Sequence, residues 1–336
     1  MKHFLPVAIA LLSAAACQTP GYEYSARAAP NFPEALNYTD VSVGRFRGPA
    51  SDVAEAGFQA LIEDAELGGQ RWFTNTQSRR PQGIYEGEVF ITGFRRETRL
   101  QRERRCDTHR GLFSCETYVV VEQRCPKDIV DVSVAATLVD FASGRPVFTA
   151  ERGAGAEREE CFDIAVYPDT GQATGAVGET VNETFNLRDA PVGLVADAVA
   201  AAIPGFRFDI APYMTTLRAE IVSKPLVPEE ASDYRFEAAV KATRRGEIIG
   251  ACAQWQELAA AYPSAPGILH NWGACTEARG DLAGAHTLYA RSAEIARGIP
   301  LLRDRDARPI FDALARVSRG RYEDQLIDGA RNPAGY

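Results

Sequence analysis

Two segments of this chain, GEIIGACAQW at residues 246–255 and GDLAGAHTLY at residues 280–289, decide the fold of its C-terminal part. A glycine, a small residue and an aromatic residue stand at matching places in both, and each recurs after 34 residues. Small residues let two helices pack closely, the aromatic ring fills the space beside them, and each glycine ends a helix. The period therefore predicts helix–turn–helix units that stack on one another. The matching pairs are Gly246 and Gly280, Ala251 and Ala285, Trp255 and Tyr289, and Ala239 and Gly273.

A period of 34 residues with these anchors resembles the tetratricopeptide (TPR) repeat. The resemblance implies that residues 225–331 form a helical domain that binds other proteins in a groove and performs no chemistry. Asn271 matches a repeat position that bonds a ligand backbone; the alternative for it is a helix-surface amide without a partner. The predicted partner-binding residues are Phe236, Glu237, Val240, Arg244, His270, Asn271 and Glu277.

The N-terminus predicts export. Residues 1–16 have a charged start, a short apolar run and small residues at the end, which is typical of a signal peptide. The cysteine that follows resembles the bacterial lipobox, which implies that Cys17 is the lipidated first residue of the mature protein. Ala14 replaces the usual leucine, so an ordinary signal peptide cut nearby is the alternative. Gln18 after the cysteine implies the outer membrane, with the chain on its periplasmic face.

Composition restricts the partners. Asp and Glu number 45 against 37 Lys and Arg, for a formal net charge of −8. This balance argues against binding of nucleic acid, which requires a basic face. The length is enough for two domains. We expect a tether at residues 17–38, an α+β domain at residues 39–224 and a helical domain at residues 225–331.

The pattern of residues 39–224 alternates strands with two helices and predicts a mixed, mostly antiparallel sheet with packed helices. The whole chain is therefore expected to be α+β, with an all-α helix-hairpin domain after the sheet. Alternation is clearest in the strand Ile129–Asp140. Asp163–Asp189 is expected to be a long surface loop, with the membrane-inserting strands of a pore as the alternative. A helix is expected from Asp52, with Glu55 completing a capping box. The other predicted elements are a strand over Ile84–Phe94, a helix over Pro191–Ala202 and a closing strand over Phe206–Ile210.

Three blocks in this region, VSVGRFRG at residues 41–48, YEGEV at 85–89 and VDFASGRPV at 139–147, resemble the CsgG-like and TolB-N-terminal-like periplasmic domains. In that superfamily some members are outer-membrane export pores and others are lipoproteins that activate envelope enzymes. The resemblance implies an envelope protein of one of these kinds. An oligomeric subunit of an export channel is therefore the alternative to a protein-binding adaptor.

Six cysteines remain after Cys17, and an even number in an exported chain predicts disulfides. Cys252 and Cys275 lie at equal distances on either side of a turn between antiparallel helices, which predicts a bridge between repeats. The other four are spaced too widely for a zinc site and predict two disulfides of open connectivity. The favoured pairing joins Cys106 to Cys115 and Cys125 to Cys161.

The sequence contains no catalytic or nucleotide-binding motif, so we expect no enzyme activity, no cofactor and no metal. An envelope enzyme is the weaker third class. One hairpin is rich in arginine and predicts either a contact for anionic lipid or acidic protein, or a salt-bridged strand pair. Its arginines are Arg95, Arg96, Arg99, Arg102, Arg104, Arg105 and Arg110. The expected function is that of an outer-membrane lipoprotein serving as a non-catalytic periplasmic adaptor or assembly factor.

Overall fold

The computed structural model describes residues 19–77, 79–110, 114–171, 174–300 and 302–331. The predicted signal peptide at residues 1–16 and the predicted lipidation site Cys17 lie outside these ranges. The strands are β1 (Gly21–Ala28), β2 (Val41–Arg47), β3 (Glu66–Leu67), β4 (Gln70–Arg71), β5 (Gly83–His109), β6 (Cys115–Asp140), β7 (Pro146–Glu159), β8 (Phe162–Pro168), β9 (Gly175–Thr184) and β10 (Tyr213–Glu220). The helices are α1 (Ser51–Glu63), α2 (Val192–Ala202), α3 (Arg207–Ile210), α4 (Pro228–Ser232), α5 (Tyr234–Arg244), α6 (Ile248–Ala261), α7 (Pro266–Ala278), α8 (Leu282–Arg297) and α9 (Asp304–Arg331).

The predicted α+β class with a mostly antiparallel sheet is confirmed. The chain divides into two compact units, one of residues 30–212 and one that joins the segment before residue 30 to residues 213–336. The boundaries along the chain therefore fall after residues 29 and 212, whereas the sequence places them after residues 38 and 224. In the ranges that the structure describes, no helix has the length and apolar character that a membrane crossing requires.

The unit of residues 30–212, called here the sheet unit, is built on the strand order β2-β5-β6-β7. β2 pairs with β5 in parallel and the other pairs are antiparallel. Helices α1 and α2 pack against this sheet. The ring of Phe58 on α1 lies 5.3 Å from the rings of both Tyr85 and Phe206, so aromatic contacts hold the helix layer on the sheet.

The start of α1 differs from the predicted capping box. Its first turn is preceded by Ala50 in a left-handed conformation, which offers no side-chain cap. The Glu55 carboxylate instead accepts a hydrogen bond from the backbone N–H of Phe46 at the end of β2. Gly48, between them, has a φ of 96°, and a Cβ there would lie 2.2 Å from the Val89 carbonyl oxygen. The turn thus depends on a glycine and on a bond from helix to strand.

β5 and β6 are 27 and 26 residues long, far longer than predicted. Their outer halves are flanked by β9 on one side and β8 on the other, in the order β9-β5-β6-β8. We call this four-stranded extension the arm. The prediction of a loop over Asp163–Asp189 is wrong because β8 overlaps this range and β9 lies within it. An exposed strand needs backbone pairing but no apolar alternation, so the residue pattern concealed β9, whereas β8 alternates over only a few residues.

The expected closing strand over Phe206–Ile210 is also wrong. The chain forms a 3₁₀ turn over Ile203–Phe206 followed by α3. Phe206 and Ile210 are buried while Phe208 is largely exposed. A spacing of four residues between the two buried side chains is the helical spacing, and it overrides the apparent alternation.

The second unit, called here the helical unit, contains two helix hairpins, α5–α6 and α7–α8. Gly246 and Gly280 follow α5 and α7 with φ values of 76° and 83°, so the 34-residue spacing places the same left-handed turn twice. The long helix α9 packs on α8. It begins earlier and ends later than the capping helix that the pattern over Ile310–Val317 indicates.

The prediction of a tether at residues 17–38 is wrong for the described part of that range. Gly21–Ala28 forms β1, which pairs antiparallel with β10 along its whole length. We call this pair the ribbon. Tyr22 is buried in the helical unit, in a cluster with Phe236 and Trp255. The prolines at 20 and 30 flank the strand without interrupting it, and its sequence alternates between large and polar residues.

Candidate functional site

The seven predicted partner-binding residues do not form an open groove. Five of them are buried, namely Phe236, Val240, His270, Asn271 and Glu277, whereas Glu237 and Arg244 are exposed. The face of α5 and α7 that carries the buried ones packs on the ribbon. This corrects the expectation of an accessible binding surface. The physical reason is that β1 and β10, which the sequence assigned elsewhere, supply the apolar cover.

Two of these buried residues hold backbone of their own chain. The Asn271 amide accepts a hydrogen bond from Val222 N–H at 2.7 Å and donates one to the Val222 carbonyl at 2.9 Å. His270 Nε2 donates to the carbonyl oxygen of Glu220, 2.9 Å away, because that oxygen can only accept. The face therefore recognises extended backbone, and the segment that leaves β10 already occupies it.

Glu277 is the centre of a buried polar cluster. Its carboxylate accepts hydrogen bonds from the hydroxyls of Tyr24 and Tyr289 and from two nitrogens of Arg316, at 2.7 and 2.8 Å for the arginine. The cluster links β1, α7, α8 and α9. It thus fixes the ribbon to the helices through a charge pair whose carboxylate is fully buried.

The pKa values of ionisable groups in this cluster, and of the neighbouring His270, are shifted away from neutral pH. Burial and the hydrogen bond to Glu277 raise the pKa of Tyr24, and burial with the charge of Glu277 raises that of Tyr289. Burial lowers the pKa of the Arg316 guanidinium, but its hydrogen bond to Glu277 outweighs this and the net shift is upward. Burial lowers the pKa of His270 to about 4. Groups shifted in this way are poor proton carriers at neutral pH and serve here as structural contacts.

The three disulfides join the pairs that the sequence favours. Cys252 and Cys275 connect α6 and α7 with a Cα separation of 5.6 Å. In the arm, Cys106 pairs with Cys115, and Cys125 pairs with Cys161. Glu159 lies near the last pair in a grouping that would suit a metal ion, but both sulfurs there are consumed by the disulfide. A thiolate ligand is therefore not available at this place.

The arginine-rich hairpin is an ion-paired surface. Six of its seven arginines contact carboxylates at 2.6–2.9 Å, and Arg110 is exposed. The pairs are Arg95–Asp131, Arg96–Asp128, Arg99–Glu159, Arg102–Glu122, Arg104–Asp169 and Arg105–Asp163. The arrangement matches the salt-bridged alternative, because each of these charges already has an anionic partner.

Sequence reasoning missed the edge of the arm. Among the described residues, β8 pairs only with β6, so its other edge is open. Its apolar side chains are exposed to solvent, with fractions of 55% at Phe162, 51% at Ile164, 60% at Val166 and 37% at Tyr167. The alternation at residues 162, 164 and 166 is the signal that would have indicated a strand.

No family model and no curated protein matches this chain. Among solved structures it is similar to a candidate lipoprotein from Caulobacter crescentus CB15, at 11% identity over 53% of this chain and 92% of that one, with a TM-score of 0.24. It is also similar to a point-substituted form of the PelC dodecamer from Paraburkholderia phytofirmans, at 11% identity over 55% and 97%, with a TM-score of 0.21. A second PelC dodecamer structure matches at 10% identity over the same shares, also with a TM-score of 0.21. At these TM-scores the similarities carry no inference about function.

Proposed function

We propose that this chain is a non-catalytic lipoprotein of the bacterial outer membrane that faces the periplasm and acts in envelope assembly. The signal-peptide pattern that ends at Cys17 supports this location. The three disulfides support an oxidising compartment. The non-catalytic role is supported by the structural use of Glu277 and His270, two fully buried ionisable groups of the helical unit.

The contact through which it acts is the open edge of β8, and this observation carries the proposal. A free strand edge presents unpaired N–H and C=O groups that bind another strand. Natural edges are usually protected by charged residues, yet the stretch FDIAVYP at residues 162–168 has one charge, Asp163. An apolar edge of this kind is protected by pairing, so we assign it a strand as its partner.

The partner strand belongs to a second copy of this chain. The arm has two outer strands, β8 on one side and β9 on the other, and every pair within it is antiparallel. β8 and β9 therefore run in opposite directions. Copies placed side by side in the same orientation would join β8 of one to β9 of the next and continue the antiparallel order. Such a head-to-tail interface generates a ring or a filament.

Self-association of this kind agrees with the resemblance of residues 41–48, 85–89 and 139–147 to CsgG-like domains, some of which form oligomeric export channels. The oligomeric export-channel subunit is thus the form of envelope role that the arm favours.

A second candidate is the adaptor role of the TPR-like helices. It is favoured by Asn271 and His270, which bind extended backbone through side-chain hydrogen bonds. A partner would bind there only after the ribbon and the segment after β10 leave the face. This role therefore requires an exchange of strands, and substitutions at Phe236 or Asn271 would disturb folding before they report on binding.

The test is site-directed photo-crosslinking in intact cells. A photoreactive amino acid replaces Val166 on β8, and the matched control carries it at Ile249 on α6, which is 88% exposed but lies on no strand edge. We expect Val166 to yield an adduct of twice the chain mass and Ile249 to yield none. The charge-introducing variant Phe162→Glu, added to the Val166 probe, is expected to reduce the adduct severalfold.

Adducts of Val166 with other proteins alone would contradict self-association and assign the β8 edge to a partner other than a second copy of this chain. Equal adducts from Val166 and Ile249 would show random collision and overturn the edge as the contact. Sizing of the purified, lipidated protein in detergent supplies the second measurement, and a discrete multiple of the chain mass is the expected result.

A further inference from the structure

A cavity of about 400 Å³ lies in the helical unit where the chain enters β1. Its apolar walls include Leu226 and Leu302, and its charged rim carries Lys224, Arg303 and Arg305 against the single carboxylate of Asp306. An excess of positive charge is unusual in a chain with a net charge of −8. The combination of an apolar wall and a cationic rim is the chemistry of a site for a phosphate-bearing amphiphile.

The cationic rim is only partly neutralised. Arg303 contacts Asp306 at 2.6 Å, and Arg305 lies 3.8 Å from the same carboxylate. Among the described residues Lys224 makes no salt bridge and is exposed. The rim therefore has three cations and one carboxylate, which contacts two of them, whereas each ion-paired arginine of the arm has a carboxylate in contact. This rim, and not the arginine-rich hairpin, offers charge to an external anion.

The cavity lies close along the chain to the predicted anchor. Thr19 lies on its rim, where its carbonyl accepts a hydrogen bond from Arg218 at 2.9 Å. The next residue, Pro20, accepts one from Ile221 N–H at 2.9 Å. Cys17 precedes Thr19 by two residues, which span at most about 7 Å. The headgroup layer of one leaflet is about 5–8 Å thick. A lipid on Cys17 would therefore bring this rim into the headgroup layer.

We propose that the cavity binds the phosphate group of an anionic phospholipid in the membrane that holds the anchor, with Lys224, Arg303 and Arg305 as its ligands. This inference rests on the proposed lipidation of Cys17. The acyl chains of the anchor hold the protein at the membrane, and the phosphate contact orients the helical unit on it. Each basic side chain close to an anionic membrane contributes roughly 1 kcal/mol, or about fivefold in affinity.

The experiment measures the membrane binding of a chain that lacks the acyl anchor on Cys17. The mature chain with Cys17→Ser, exported by a different signal peptide so that its disulfides form, is mixed with phosphatidylcholine vesicles that contain or lack phosphatidylglycerol. We expect cosedimentation with the anionic vesicles only. The double variant Lys224→Gln, Arg305→Gln should bind about 25-fold more weakly, which is two steps of about fivefold.

The matched control is Lys241→Gln, Arg291→Gln, which removes the same charge from exposed positions of the same unit that do not line the cavity. Less than about a twofold change is expected there, because these side chains lie away from the proposed headgroup contact. Equal losses in both double variants would overturn the site and reduce the effect to net charge. Competition by millimolar glycerol phosphate would assign the site to a soluble anion and overturn the membrane role.

The anchor on Cys17 and the headgroup site are tested by different measurements. Mass spectrometry of the N-terminal peptide of the native protein tests acylation of Cys17, and its absence would contradict the anchor. Acylation together with equal binding of the unacylated chain to both kinds of vesicle would leave the anchor standing and contradict the headgroup site alone.

Discussion

Asn271 binds both backbone polar groups of Val222, with a hydrogen bond of 2.7 Å from the N–H and one of 2.9 Å to the carbonyl. The sequence predicts that this amide binds the backbone of a partner. The structure gives it the predicted kind of ligand, but the ligand is a segment of the same chain. The helices are thus stabilised by the element that fills their face.

Removal of the Asn271 amide should destabilise the helical unit. Asn271→Ala leaves a buried N–H and a buried carbonyl without partners, and each costs about 1–3 kcal/mol. We expect a loss of about 2–6 kcal/mol in the free energy of unfolding, measured by urea titration. The control Asn182→Ala, at an exposed position of β9, should change it by less than about 0.5 kcal/mol. A similar small change at Asn271 would contradict the contact.

The Glu277–Arg316 pair predicts that substitution of Glu277 destabilises the fold much more than substitution of Glu237. Glu277→Gln removes the charge that compensates the largely buried Arg316 and should cost about 3–5 kcal/mol. Glu237→Gln removes an exposed partner of Lys241 on α5 and should cost less than about 0.5 kcal/mol. Thermal and urea unfolding of the two variants supply the comparison. Comparable losses would show that Glu277 is solvated.

His270 should make the helical unit less stable in acid. Burial holds its pKa near 4 in the folded chain, below the usual 6.5, so the unfolded chain binds the proton first. The contribution is fully present above pH 6.5 and is lost as the pH falls toward 4, by roughly 3 kcal/mol. Within the described part of the chain, Nδ1 is buried without a hydrogen-bond partner, which explains why the charged form is disfavoured.

The measurement is the difference in unfolding free energy between native protein and His270→Gln, followed from about pH 7.5 to about pH 4, the window in which the unfolded chain is protonated first. We expect the native protein to lose stability more steeply, because glutamine does not titrate. His286→Gln serves as the control and should retain the native slope. Parallel curves for native protein and His270→Gln would refute the assignment.

The disulfide between Cys252 and Cys275 should stabilise the helical unit. It closes a sequence separation of 23 residues, for which chain entropy predicts about 3 kcal/mol. Replacement of both cysteines by alanine should lower the unfolding free energy of that unit by this amount. The same replacement at Cys106 and Cys115, in the arm, should leave the helical unit unchanged. Near-ultraviolet circular dichroism reports the unfolding of this unit, because two of the three tryptophans, Trp255 and Trp272, lie in it and Trp255 packs on Phe236.

The helical hairpins could be predicted because their information is local and repeated. Gly246 and Gly280 supply the same left-handed turn, and Trp255 and Tyr289 are both fully buried. The core strands of the sheet unit could be predicted for a similar reason, since burial on one face imposes alternation of apolar and polar residues. The outer halves of β5 and β6 and the strand β9 could not be predicted, because salt-bridged and solvated strands obey no such pattern.

The sequence predicted which residues share the face, but it did not predict that they are buried. Phe236, Val240, His270, Asn271 and Glu277 do share one face of α5 and α7, as helical periodicity requires. Their burial depends on β1 and β10, which lie nearly 200 residues apart in the chain and pair along the whole of β1. The local sequence of neither strand specifies the other as its pairing partner.

The sequence by itself determined the α+β class, the helix hairpins and the cysteines able to form bridges, because each depends on local propensity, periodicity or spacing. Only the tertiary structure decided that the ribbon covers the helices, that the arm has an open edge at β8 and that cations gather beside Thr19. These features arise from contacts between distant segments. Their energies depend on burial and charge pairing, which exist only when the chain has folded.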